Sequence, residues 1–142
     1  MKTGLGAKER TLSEEECLGL LASVSIGRLG GSHRALPVVM TVRVDVVDGS
    51  LRIEPLLDAA FPFDVGSVVA LEAGTLGTGL ASEWSVQVQG FLRSTTTTVP
   101  QQSTASHSAP ETYWLSPDVI SGWSLEGGSN GSRQPEVEGV RR

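Results

Sequence analysis

Either side of an Asp-Gly pair, residues 41–46 and 51–54 alternate between apolar and polar, and that pattern leaves few folds open. Val42, Val44 and Val46 alternate with Thr41, Arg43 and Asp45 before the pair, and Leu51 and Ile53 alternate with Arg52 and Glu54 after it. A period of two sends one set to each face of a strand. Asp48-Gly49 tolerates the positive φ of a two-residue hairpin. The pattern predicts two antiparallel, half-buried strands at the centre of the fold.

The residues before this hairpin follow a different rule. Ser13 precedes Glu14, Glu15 and Glu16, so the serine can cap a helix while Glu16, three positions on, returns a bond to the cap. Leu12 and Cys17 stand where a hydrophobic staple closes, and Leu18, Leu20 and Leu21 extend the apolar face. A helix is predicted over 13–22. Val24, Ile26 and Leu29 then read as a first strand ended by a loop at residues 30–34, where Gly30 and Gly31 stand.

Beyond the hairpin, Pro62 limits residues 55–64 to a turn or a single helical turn. Residues 65–73 read as a buried strand, 74–82 as a mobile glycine-rich connection, and 84–92 as an alternating strand. Gly90 inside that strand marks a bulge or a close backbone approach. The Ser/Thr/Pro/Gln stretch at 94–112 has too little apolar surface to offset its ordering entropy. This reading divides the chain into a flexible start at 1–11, a core at 12–93, a polar loop at 94–112, a last strand and turn at 113–126, and a disordered tail at 127–142.

Composition narrows the function. A length of 142 residues suits one core, and a net charge of −5 disfavours nucleic acid or an anionic membrane surface as partner. A single cysteine permits no intrachain disulfide, and no leader-like or membrane-length apolar run is visible, so a soluble, cytoplasmic protein is expected. On the same ground, the sequon at Asn130 reads as unused.

Conventional catalytic constellations find little support. His33 and His107 have no Cys or His at ligand spacing, so no metal site is predicted. Cys17 lies on the apolar side of its helix and reads as a core thiol. Asp45 and Asp48 belong to a hairpin rather than an acid pair. Gly74, Gly77 and Gly79 lack the Lys-Ser/Thr of a phosphate loop and read as a flexible connection.

The ordered series Leu12-Ser13-Glu14-Glu15-Glu16-Cys17-Leu18, Ile26-Gly27-Arg28-Leu29, Leu36-Pro37-Val38-Val39 and Trp84-Ser85-Val86-Gln87-Val88-Gln89-Gly90 resembles the pyridoxamine 5'-phosphate oxidase-like split barrels. The resemblance covers residues 12 to 93, with a weaker echo at 115–122. It implies a mainly β fold: a six-stranded antiparallel split β-barrel with an N-terminal helix and few short helices. It further implies a homodimer with FMN in the cleft between subunits.

Carried over by position, the resemblance places Val39, Met40, Thr41 and Val42 along the flavin ring and Arg43 at its polar edge, with Trp84 and Ser85 supplied by the partner chain. In such proteins the phosphate is held by cations after the hairpin, but here residues 53–61 contain Glu54 and Asp58 and no basic residue. Arg52 is the nearby cation. A dianionic phosphate beside carboxylates is repelled, so FMN is expected to bind weakly. A deazaflavin occupies this fold in some relatives and remains open as the ligand.

Two functions follow. One is a flavin-dependent oxidoreductase, in which the cofactor carries the electrons and the chain supplies no evident acid or base. The other is a non-catalytic dimeric barrel that has lost flavin and binds another ligand.

Overall fold

The computed structural model describes residues 8–56, 60–80, 82–96 and 111–126. Its elements, in chain order, are β1 (Lys8–Thr11), α1 (Glu14–Leu21), β2 (Ile26–His33), β3 (Leu36–Val47), β4 (Ser50–Pro55), β5 (Val68–Gly74), β6 (Ser82–Thr96), β7 (Glu111–Leu115) and β8 (Val119–Glu126). Every strand pairing is antiparallel, and the order β6-β5-β2-β3-β4-β7 closes on itself through a β6–β7 pairing. These six strands make the closed barrel that the sequence implied.

The split comes from β6, which is too long for one neighbour on each side. Its first half pairs with β8, from Ser82↔Glu126 to Gln89↔Val119, and its second half pairs with β7, from Leu92↔Leu115 to Thr96↔Glu111. At Gly90, between the two registers, the 116–118 connector crosses the strand. A Cβ there would collide with the Ser116 carbonyl oxygen. Gly90 is therefore a close backbone approach, the second of the two roles read from its sequence.

The hairpins follow from their turn residues. Asp48 and Gly49 take φ of 51° and 80° and join β3 to β4 in the predicted register, with Val44↔Ile53 and Val46↔Leu51. Arg34 and Ala35, at φ of 54° and 66°, turn β2 into β3. Gly30 and Gly31 are thus strand residues, not the expected loop. Gly31 has to be glycine because the Phe63 ring lies over it, within 2.9 Å of where a Cβ would sit.

Helix α1 stands on Ser13, whose hydroxyl accepts the Glu16 amide at 3.1 Å while Glu16 accepts the Ser13 amide at 2.9 Å. The helix packs against β3, β5, β6 and β8, burying Cys17 and Leu21 completely. Around them the core is aliphatic: Leu29, Val42, Val44, Leu51, Ile53, Leu71, Val86, Val88, Leu92 and Leu115 are all buried. Burial of each such side chain contributes about 1.5–3 kcal/mol.

Several expected boundaries move. Val65 to Ser67 form a turn before β5 instead of its first residues. β6 runs on to Thr96 and β7 begins at Glu111, so both ends of the expected polar loop belong to the sheet; residues 97–110 lie outside the described residues. The turn expected at 116–120 ends early, because residues 119–126 form β8, and Lys8–Thr11 pairs with it from Lys8↔Glu126 to Thr11↔Trp123. No helix occurs among the described residues of 55–64. Residues 1–7 and the expected tail at 127–142 lie outside the described residues.

The connection at 74–82, expected to be mobile, carries several hydrogen bonds among its described residues. The Glu83 carboxylate accepts the Gly77 amide at 3.2 Å and the Gly79 amide at 2.9 Å, and Thr75 Oγ1 donates to the Ser82 carbonyl. The glycine-rich turn thus cradles an anion, but that anion is the chain's own Glu83.

Candidate functional site

Strand alternation divides the residues assigned to the flavin. On β3, Val39, Thr41 and Arg43 face outward, whereas Val42 is fully buried and Met40 packs against the core. The Val42 side chain therefore points into the core and not to the outer face. The same rule separates Trp84 from Ser85: Trp84 is a core residue, and Ser85 lies on the opposite side of β6. The two side chains therefore do not share a face of the strand.

The outward residues of β3 continue across the sheet. Thr41 opposes Arg28, Arg28 opposes Glu72, and Glu72 opposes Gln87. One step along, Val39 opposes Gly30, which opposes Ala70 on its other side. These two rows border a shallow cavity of about 300 Å³ lined by Arg28, Gly30, Val39, Ala70, Leu71, Glu72 and Gln87. Its floor is small and apolar and its rim is polar.

Beside it lies a second, more polar cavity of about 400 Å³, bordered by Ser23, Ser25, Ile26, Gly27, Arg28, Glu72 and Gly74. Arg28 and Glu72 form the wall shared by the two cavities. Their Nη2–Oε1 distance is 2.6 Å, and the other Glu72 oxygen accepts the Ser85 hydroxyl at 3.1 Å. Ser85 thus enters the site through Glu72. Sequence reasoning missed Arg28, Glu72 and Gln87 as site residues; the Gly-Arg of the first strand was the one available signal.

The other arginines differ. Arg52 donates to Asp45 at 2.7 Å, and that bond holds its proton still more firmly than usual. It lies in the outward row Asp45–Arg52–Trp114, away from both cavities. Arg43, exposed, opposes Ile26 on β2 and Glu54 on β4, and has no ion pair among the described residues.

In the stretch expected to hold phosphate, the described residues contribute Glu54 and no cation; Asp58 lies outside the described residues. Phe61 anchors the strand-to-strand crossing by stacking on Tyr113 at 3.9 Å and meeting Phe63 edge-on at 5.4 Å. His33 Nδ1 donates to the Pro62 carbonyl at 2.9 Å, a structural tie.

Cys17 is buried beneath β8, and burial pushes its thiol above the ordinary range. Among the described residues no three His, Cys, Asp or Glu side chains gather as a metal set, and no helix is long and apolar enough to cross a membrane.

The architecture defines a split β-barrel of the kind found in flavin-binding and pyridoxamine 5'-phosphate oxidase-like proteins. The chain superposes on an FAD-binding protein of Mycobacterium smegmatis with a TM-score of 0.62 and 21% identity, covering 82% of this chain and 98% of that one. A candidate pyridoxamine 5'-phosphate oxidase of Corynebacterium glutamicum gives 0.64 and 20%, covering 85% and 96%. An FAD-binding protein of Mesorhizobium loti gives 0.63 and 20%, covering 85% and 99%.

In sequence, the chain is 37% identical over 86 residues to an uncharacterized protein of Mycobacterium tuberculosis, spanning 56% of this chain and 57% of that relative's length. No family profile matches the sequence.

Proposed function

We propose that this protein binds a flavin on the outer face of β2, β3 and β5, in a cleft completed by a second copy of the chain, and that it acts as a flavin-dependent oxidoreductase. The observation that carries this reading is the apolar seat formed by Gly30, Val39 and Ala70 under a polar rim of Arg28, Glu72 and Gln87. A planar ring fits a flat, small-residue floor, and hydrogen-bonding groups at its edge fix its orientation. The flavin nucleotides bound by two of the solved relatives point to the same ligand class.

The outward surface of the sheet also carries exposed apolar side chains. Ile26, Val39, Val68, Phe91, Val119 and Trp123 are exposed there, and a patch of that kind suits a partner chain. A bound flavin would supply the redox chemistry, while the chain's residues hold it and exclude water. Arg43 beside Glu54 is poorly placed to hold a phosphate alone, which supports weak FMN binding. That same acidic neighbour favours the second reading, a dimeric barrel without flavin.

Titration of the purified protein with FMN and with a deazaflavin, read by flavin fluorescence and by sedimentation, tests the proposal. A dimer that saturates with one of them at micromolar concentration is expected. A protein that stays monomeric and leaves both ligands free would overturn it.

A further inference from the structure

Resting on the flavin reading above, we infer that Arg28, braced by Glu72, holds the phosphate of the flavin nucleotide in place of the cations missing after the hairpin. Arg28 stands between the two cavities, with the ring-sized apolar seat on one side and the serine-lined polar cavity on the other. An elongated ligand with its ring over Gly30, Val39 and Ala70 carries its tail past the guanidinium toward Ser25.

The donor inventory fits an anion. A guanidinium has five N–H donors in a planar fork, and Glu72 is the one partner of Arg28 among the described residues. The Arg28 side chain is 61% exposed, against 30% for Glu72, so its remaining donors face open space. Both Glu72 oxygens are occupied, one by Arg28 and one by the Ser85 hydroxyl, which holds the carboxylate on the β5–β6 side of the arginine.

Arg43 adds positive charge to the same face. Because Arg28 opposes Thr41 and Arg43 lies two residues further along β3, the two cations are diagonal neighbours. Counting Glu72 and the Glu54 that opposes Arg43 on β4, the two arginines meet two carboxylates, so the anion is held by the free donors of Arg28 rather than by a net positive field. Sequence reading did not find this arrangement because Arg28 and Glu72 are 44 residues apart and meet only through the β2–β5 pairing.

The test compares FMN with riboflavin, which has the same ring and no phosphate, on the full chain. Wild type should bind FMN more tightly than riboflavin. Arg28→Gln should lower FMN affinity roughly 10- to 100-fold, the range of one charge-assisted contact, and change riboflavin affinity less than about threefold. Arg28→Lys should recover part of the FMN loss by keeping the charge without the fork.

Unchanged far-UV circular dichroism and melting temperature would show that Arg28→Gln is folded. Equal losses for the two flavins, or a selective FMN loss in Arg43→Gln but not in Arg28→Gln, would overturn the assignment to Arg28 while leaving flavin binding intact. A wild type that binds neither flavin would instead overturn the flavin reading, and this inference with it.

Discussion

The carbonyl oxygen of Ser116 lies against the backbone of Gly90, at the point where β6 exchanges β8 for β7 as its neighbour. No side chain fits between them, and the atom in the way is backbone, which cannot rotate aside. Gly90→Ala must push the 116–118 connector off β6, separating the barrel from the β1–β8 extension. A loss of about 3 kcal/mol or more is expected, at the upper end of overpacking costs. Urea unfolding of the purified variant checks it; a midpoint matching wild type would mean that the connector yields freely.

Local signals made much of this fold legible. The Ser13–Glu16 capping box, the Asp48-Gly49 turn and the alternation through Val42, Val44, Leu51 and Ile53 each specify structure within a few residues, and each appears where expected. β8 was hidden because its inward positions are small: Gly122 faces Cys17 Sγ of the helix, so the alternation carries little hydrophobic contrast. β1 was hidden because all four of its residues are exposed and only backbone pairing with β8 defines it.

At the candidate site the limit was different. β3 was found correctly, but a run of consecutive residues was assigned to one ligand, although Val42 faces the core and Thr41 faces out. Periodicity contains that distinction. The Arg28–Glu72 wall does not appear in any local pattern, since strand pairing alone brings it together.

The capping box gives a prediction with a pH dependence. Ser13→Ala removes the acceptor for the Glu16 amide and should cost about 1 kcal/mol. The Ser13 amide first, and Arg10 at 3.0 Å second, hold the Glu16 carboxyl below its ordinary range. A depressed carboxyl stabilises the fold above its unfolded pKa, and the gain is lost as pH falls through the folded value. The stability difference between wild type and Glu16→Ala should therefore shrink on acidification, as read from thermal melts across the carboxylate range. A difference that stays constant would show that the charge contributes nothing.

Cys17 has the opposite sign. Burial, reinforced by Glu16 and Glu14, raises its thiol in the folded chain, so the unfolded chain loses the proton first as pH rises. Stability should fall above the ordinary thiol pKa of about 8.5, and Cys17→Ala should lack that part of the slope. A thiol reagent at neutral pH should label the chain only after denaturant is added. Rapid labelling of the native protein would contradict the burial.

Glu83 closes the 75–82 turn by accepting two backbone amides. Glu83→Ala should speed hydrogen exchange at Gly77 and Gly79 while lowering global stability by less than about 1 kcal/mol, because the turn is solvent-exposed and opens locally. Unchanged exchange at both glycines would show that the Glu83 carboxylate contributes nothing to the turn's order.

Val68 and Phe91 oppose each other on β5 and β6 and are 59% and 52% exposed; Val39 and Val119, on the same outward face, are 68% and 55% exposed. An apolar surface of this extent is costly in water, and a self-complementary contact about a two-fold axis would cover it on both chains at once. A charge at its centre is buried in the dimer but solvated in the monomer, so Phe91→Asp should act on association far more than on the barrel. The side chain points away from the core, so the single-chain fold loses little by the change. Sedimentation at micromolar concentration should show wild type as a dimer and Phe91→Asp as a folded monomer with greatly reduced flavin binding, since the cleft then lacks its second wall. A variant that remains dimeric would place the partner on another face, and one that is monomeric yet binds flavin as wild type does would confine the site to a single chain.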